Sequence, residues 1–532
     1  MKAISWYAFA CASMMLSGCP QDRQAEQAAG FGSHARASRA MSSPAATVAA
    51  SGVTLTLDTL PISAVISQGD AFAATMSGTW QATAAGTIYL QVSDSAGVFV
   101  APAPTLVSAK LSTYAIGLGL RTSTGPGVYT GTLSVRACED SACSQPYAGT
   151  LHSVGYTVTV KKVGEWETLQ RTSGHDAYVP ITIDAARYHT AWSFESPTYS
   201  LSGVVTDGNN VYFAEPGSAS IYAIRATDGV TQWRRVFTGT YGPTVNPPTV
   251  SNGVVYVSTT SQDDTWVHAL RASDGLQAYQ SQFFTQWAGI LNPTVRNGRV
   301  YVNSGQYGGV VYAFNIADGS AAWNASGGTY GMNTPAVDDN FVYAYNGGTL
   351  DVFNAVDGSL STSIGPNPSG VQEDYNAAPM LGSTDHVLTY SGTAYGNSNR
   401  QLLDYSVANR AVRWMSNSLY NTYPAVAKGV VYSASNESST FDALDEATGR
   451  VLWSWKPAEQ GYQFMANVVV TDNMAFVSTS TRVYAIDLWR HRTVWSAPTP
   501  GKVSISANRT LFVSSPPDNS TQNSRITAYR LN

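Results

Sequence analysis

The chain has 532 residues, of which 12% are charged, and it carries 46 Gly, 30 Tyr and 13 Trp at a formal net charge of −5. That length exceeds one ordinary domain unless the fold is a repeat or a large barrel. Sparse charge with many turn formers and aromatics favours an all-β chain of many short strands, and the acidic balance argues against the basic stripe of a nucleic-acid binder.

Residues 1–18 read as an export signal. Met1-Lys2 supplies a positive start, and the apolar stretch from Ile4 to Leu16 is shorter than the roughly 20 residues a membrane-spanning helix needs. Leu16-Ser17-Gly18-Cys19 resembles a bacterial lipobox, which implies cleavage before Cys19 and a lipid on its thiol. Residues 19–50 are rich in Ala, Ser and Gln with few large apolar groups, the composition of a flexible tether that cannot bury a core. The mature protein is therefore expected to be anchored to a membrane and not embedded in it.

Residues 52–161 alternate apolar and polar side chains in short runs, as in Val53–Leu57, Thr87–Val92, Thr132–Arg136 and Tyr156–Val160. Period two marks half-buried strands, and about 110 residues of them suggest an immunoglobulin-like sandwich. Cys138 and Cys143 are the only cysteines beyond the N-terminal region. A close pair in an exported chain is expected to form a disulfide.

Residues 185–532 carry a repeat of about 40 to 46 residues, the size of a four-stranded propeller blade. Each unit runs from a short apolar strand, often after Pro, through a Val/Tyr-rich strand to a strand of the form Val311-Tyr-Ala-Phe314. A turn such as Asp318-Gly319 follows, and then an outer aromatic such as Trp323. The aromatics expected to dock between blades are Trp192, Trp233, Trp323, Trp414, Trp453 and Trp495, with Tyr279 in the second unit and Thr362 where the fourth should have Trp. The last unit lacks its outer strand, and His189–Phe194 carries the missing Trp. The fold class is accordingly all-β: an Ig-like β-sandwich followed by an eight-bladed β-propeller closed by its N-terminal strand.

The motif Ala226-Thr-Asp228-Gly229-Val-Thr-Gln-Trp233 is similar to the tryptophan-docking motif of quinoprotein alcohol dehydrogenases, and the likeness extends over about 340 residues. That resemblance implies the pyrroloquinoline-quinone-like propeller fold and leaves function open. Its dehydrogenase branch uses a cysteine pair over the quinone and acidic and amide Ca²⁺ ligands, whereas this propeller has no cysteine and no Cys-x-x-Cys-His haem motif. Asp263-Asp264 reads as a solvated loop, and neither a cofactor nor a metal is expected. The lipobox, blade count and short loops resemble the propeller lipoproteins of the outer-membrane β-barrel assembly machinery, which implies a scaffold without a cofactor. The sandwich departs from that family.

The segments joining each outer strand to the next inner strand carry aromatics at Tyr241, Trp287, Tyr330, Tyr375, Tyr420 and Tyr462. In a propeller these segments share one face, so they form a candidate binding face for an extended peptide or a glycan. The sequence supports three readings: a non-enzymatic envelope scaffold with a protein partner, a quinone-dependent alcohol or sugar dehydrogenase, and a surface adhesin or glycan binder. The expected location is the cell envelope, lipid-anchored at the outer membrane and facing the periplasm.

Overall fold

The computed structural model describes residues 52–531 apart from 84–86, 108–111, 198–199, 240–242, 262–263, 286–291, 305–309, 327–330, 347, 369–373, 376–377, 392–399 and 518–522. The lipidation candidate Cys19 lies outside these residues.

Residues 53–161 build two facing sheets. One runs in the order Val53–Leu55, Ala73–Ala82, Thr113–Leu120, Phe99–Val100. The other runs Ile62–Ser67, His152–Lys161, Gly127–Cys138, Ile88–Asp94, Thr105–Val107, with Ile62–Ser67 parallel to its neighbour. The period-two pattern turns Met76, Trp80, Ile116, Leu118, Leu133 and Val158 inward to a shared core, and such burial is the main favourable term for a module of this size. A disulfide joins Cys138, at the end of its strand, to Cys143 in the following turn.

The rest of the chain is a β-propeller. Its described residues form eight sheets, each built on a four-stranded meander and numbered here from the inner strands at Val205, Thr249, Thr294, Ala336, Met380, Ala425, Phe464 and Lys502, with Thr244–Val245 as a fifth strand in sheet 2. Sheet 7 also takes Tyr178–Val179 as a parallel inner strand. Sheet 8 receives its outer strand from the beginning of the propeller: His189–Ser196 pairs antiparallel with Ser524–Arg530. This pairing covers the edge that the last sheet would otherwise expose.

Adjacent sheets are joined by one recurrent device. The Trp192 indole donates to the carbonyl of Ala226 (3.0 Å), Trp233 to Ala272 (2.9 Å), Trp323 to Ala355 (3.1 Å) and Trp414 to Glu446 (2.8 Å), each time in the next sheet. Tyr279 donates to Ile316 at 3.0 Å in the same sense. Each ring rests on the glycine of the next sheet's turn. A Cβ at Gly229, Gly275, Gly319, Gly358 or Gly449 would approach that ring within 2.3–2.7 Å. The glycine therefore serves two ends: it takes a positive φ in the turn and leaves room for a neighbouring indole.

The pairing also accounts for the units that break the pattern. Sheet 4 has Thr362 in place of Trp, and the turn of sheet 5 is Asn409-Arg410 with no glycine to receive one. Trp453 instead stacks on His491 of sheet 7 at 4.3 Å, and Trp495 meets Tyr529 of sheet 8 edge-on at 5.0 Å.

Candidate functional site

The inner strands of a propeller surround a channel. Here the segment between sandwich and propeller, residues 163–183, seals one end of it. Inner-strand amides donate to its carbonyls in turn: Thr206 to Trp166, Val250 to Glu167, Val337 to Ser173, Leu381 to Gly174, Val426 to Asp176 and Val470 to Ala177, all at 2.7–3.0 Å. Sheet 8 donates from Ala507 to the Glu165 carboxylate at 3.1 Å. Sheet 3 is reached by Thr168, whose hydroxyl donates to the Pro293 carbonyl at 3.1 Å. The segment thus bonds all eight sheets and satisfies inner-strand backbone groups that would otherwise be left unpaired.

Its polar side chains reach deeper. Gln170 donates to Pro424 (2.7 Å), His175 to Pro379 (2.8 Å), and Asn467 donates to Gln170 (2.8 Å). His175 is fully buried, which pulls its imidazole down to about 4 and keeps it neutral. Burial likewise lowers the Arg171 guanidinium, against the pull of Asp176, and raises the Asp176 carboxyl. Following such a circle requires tight turns, and Gln170, Arg171, His175 and Ala177 all take positive φ. Backbone strain of this kind persists where the surroundings over-determine it.

The sandwich is fastened at this same end. Arg509, in the first turn of sheet 8, is 5% exposed; it pairs with Asp70 at 2.7 Å and donates to the carbonyls of Gln68 (2.9 Å) and Thr182 (2.6 Å). Asp70 also accepts from the Thr182 amide at 2.9 Å. A cleft of about 810 Å³ lies beside this latch, bordered by Thr124 of the sandwich, Lys162 and Glu167 of the segment, and turn residues Asp207 and Asn252 of the propeller.

The other end of the channel carries the connections that sequence analysis singled out. Tyr241, Trp287 and Tyr330 lie outside the described residues. Tyr375 belongs to a two-residue strand, Asp374–Tyr375, parallel to Gly331–Met332, and its side chain is likewise outside them. Tyr462 stands half-buried at the rim, donates to the Ser439 carbonyl at 2.8 Å and packs edge-on against Phe464. Tyr420 is not open to a ligand: it is fully enclosed, and its hydroxyl donates to Asp442 at 3.1 Å. It is a core residue, clustered with buried side chains of sheets 4 to 6. Arg400 lies 4.1 Å over the Tyr390 ring and 5.8 Å from that of Tyr423, and burial pushes both phenols up to about 12. Phe284, in the connection after sheet 2, is 65% exposed.

A family model described as "Outer membrane protein assembly factor BamB" matches residues 175–283 and 247–455, more than half of the chain. The chain belongs to this family. Its members share the pyrroloquinoline-quinone-like propeller. Among curated proteins, the outer membrane protein assembly factor BamB of Moranella endobia is 28% identical over 211 residues, 36% of this chain and 51% of that protein. The chain thus spans about half the length of that relative. The tetrathionate hydrolase of Acidithiobacillus ferrooxidans is 25% identical over 406 residues, 65% of this chain and 73% of that one. Among solved structures, the quinohemoprotein alcohol dehydrogenase of Comamonas testosteroni superposes with a TM-score of 0.53 at 13% identity, covering 69% of this chain and 80% of that chain. At such identity the likeness is one of fold.

Among the described residues no three His, Cys, Asp or Glu side chains stand together as a metal set, and the propeller contains no cysteine. Two features of the site escaped sequence reasoning, the channel-sealing segment and a group of buried asparagines at the end of the channel opposite that segment. The first has no periodicity to betray it. The second left a trace in the recurrent Asn292-Pro293 and Asn333-Thr-Pro335.

Proposed function

We propose that the protein is a non-enzymatic envelope scaffold that offers the end of its propeller opposite the sealing segment to a protein partner, in the setting of outer-membrane protein assembly. The observation that carries this reading is the asymmetry of the channel. One end is closed by the chain's own segment and fastened to the sandwich, so recognition falls to the face bearing Phe284 and Tyr462. Family membership supplies the setting. On this reading Cys19 carries the lipid and residues 19–50 are the tether. The sandwich is immunoglobulin-like, a reading supported by its two sheet orders, first-third-seventh-fifth and second-ninth-eighth-fourth-sixth by strand.

The test is affinity purification of the lipidated full-length protein from mildly solubilised envelopes, with bound proteins identified by mass spectrometry. Recovery of β-barrel assembly subunits is the expected result. Their absence alongside other envelope partners would overturn the assignment. A second reading, hydrolysis of a sulfur oxyanion, rests on the long alignment with the tetrathionate hydrolase. Incubation of the purified protein with tetrathionate decides it, since no turnover retires that reading.

A further inference from the structure

The turns between the third and fourth strands of sheets 1 to 7 lie at the sealed end of the propeller, and six of them share a pattern. Sheets 1 to 4 carry Thr227-Asp228-Gly229, Ser273-Asp274-Gly275, Ala317-Asp318-Gly319 and Val356-Asp357-Gly358; sheets 5 and 6 carry Ala408-Asn409-Arg410 and Ala447-Thr448-Gly449. Sheet 7 instead has Trp489-Arg490-His491, followed by Arg492. A tryptophan stands where the others have nothing larger than valine, a cation where four have aspartate, and His491 takes a φ of 51° where five have glycine. Arg490 to Arg492 is the one run of three basic side chains in the sequence.

Packing explains only part of this change. The His491 ring stacks on Trp453 of sheet 6 at 4.3 Å and so takes over the joint between the two sheets. Trp489 and Arg492 are not needed for that contact. Trp489 is 69% exposed with the sandwich in place, the only exposed tryptophan among the described residues. Arg492 is exposed, as is Arg450 just before the outer strand of sheet 6, and among the described residues neither guanidinium has a hydrogen bond or an ion pair. The carboxylates of the same two turns are occupied: Asp487 pairs with Arg490 at 2.9 Å, and Asp445 accepts from the Thr448 hydroxyl at 2.6 Å. Val451 and Leu452, on the strand that carries Trp453, add exposed apolar surface.

The chemistry of this patch limits what it can meet. A single exposed apolar side chain is ordinary; an exposed indole between unpaired cations, with aliphatic side chains beside it, is not. Guanidinium groups match phosphate with a planar fork of donors. Indole favours the boundary layer of a bilayer, where its ring is apolar and its N–H stays wet. Basic side chains are drawn to a surface of anionic lipids, and apolar area adds to the attraction. An aromatic anchor in a protein interface fills a desolvated pocket ringed by other contacts, whereas Trp489 stands at the tip of a turn. A bilayer yields to such a tip and needs no matching pocket. The partner-binding face proposed above is at the other end of the propeller.

We infer that Trp489, Arg490 and Arg492 of sheet 7, with Arg450, Val451 and Leu452 of sheet 6, dock the rim of the propeller on an anionic phospholipid surface. This goes beyond the scaffold reading. Partner capture from solubilised envelopes needs no bilayer, so the two fail separately. The experiment mixes the full-length protein with vesicles of phosphatidylglycerol and phosphatidylethanolamine whose acyl chains are brominated near the headgroup, so that only tryptophan in the interface is quenched. Quenching is expected. It should fall at least about threefold in Trp489→Phe, in Arg450→Glu/Arg492→Glu, and on phosphatidylcholine vesicles brominated in the same way. The arginine pair variant keeps every tryptophan and removes side chains that bond to nothing, so a loss of quenching there does not report unfolding. A lipid on Cys19 would attach the protein to both kinds of vesicle alike and cannot imitate the dependence on charge. The inference is overturned if anionic vesicles do not quench, if phosphatidylcholine quenches as strongly, or if either variant is quenched as the parent is.

Discussion

Gly275 and Gly253 separate two roles that glycine plays in this propeller. Both take a positive φ, but a Cβ at Gly275 would lie 2.6 Å from the Trp233 ring, whereas one at Gly253 meets nothing within 4 Å. Replacing Gly253 by Ala should therefore cost only the backbone strain, about 1 kcal/mol. Gly275→Ala must add a displaced indole and the strained Trp233–Ala272 bond, for a total of about 3 kcal/mol. Denaturant midpoints of the two variants check this, and equal losses would refute the shelf role. The docking tryptophans were legible because indole and Asp-Gly recur at fixed spacing. That each glycine serves the preceding sheet's tryptophan was not, since the contact crosses a unit boundary. Thr362 and Asn409-Arg410 are the pair that could have revealed it, because both halves of the joint are missing together.

A second residue, Asp404, occupies the position opposite Trp414 where the other sheets with a docking aromatic have alanine. Burial pushes its carboxyl up to about 6, against the pull of His386 at 2.8 Å and Arg413 at 3.2 Å. A folded-state value above the unfolded one of roughly 3.9 means that the folded protein binds the extra proton between those limits. The contribution of Asp404 to stability therefore grows as pH falls from about 6 toward 4. Asp404→Asn should stabilise the protein at pH 7 and flatten this part of the profile, as urea titrations at pH 4.5 and 7 would show.

The channel-sealing segment behaves in the opposite sense. His175 has its folded value depressed to about 4 from an unfolded value of roughly 6.5. The unfolded chain thus binds the proton first, and the stability that His175 confers at neutral pH is lost as pH falls from about 6.5 to 4. Asn at this position keeps a donor for the Pro379 carbonyl, tolerates the φ of 62° and does not titrate. His175→Asn should accordingly shift the acid unfolding midpoint to lower pH, and an unchanged midpoint would mean that other groups govern it. No sequence pattern announced this segment. Its order comes from partners in all eight sheets, some nearly 300 residues away, as in the 2.8 Å bond from Asn467 to Gln170. Strand alternation, by contrast, is local, which is why the meanders could be read from the sequence and the seal could not.

Joining the modules at the sealed end has a consequence for how the whole molecule meets a partner. Antiparallel strands place the connections between sheets, with the loops from second to third strand, at one end of the propeller, and the turns after the first and third strands at the other. Phe284 belongs to the first set and Trp489, 69% exposed in the turn of sheet 7, to the second. The two are comparable exposed aromatics on opposite faces, and this makes them an internal control for the proposed scaffold role. Phe284→Asp combined with Tyr462→Asp should reduce recovery of envelope partners at least tenfold, because aromatic anchors dominate such contacts. Trp489→Asp should leave recovery unchanged. Arg509→Ala strands Asp70, 11% exposed at its side chain, without its cation, at a cost of about 3 kcal/mol, and loosens the sandwich from the turn face. Capture through the opposite face should survive that change, while small-angle scattering registers a larger radius of gyration. If the Arg509 or Trp489 variant loses the partner and the Phe284/Tyr462 variant keeps it, the binding surface is the turn face with its cleft, and the scaffold presents its sandwich side.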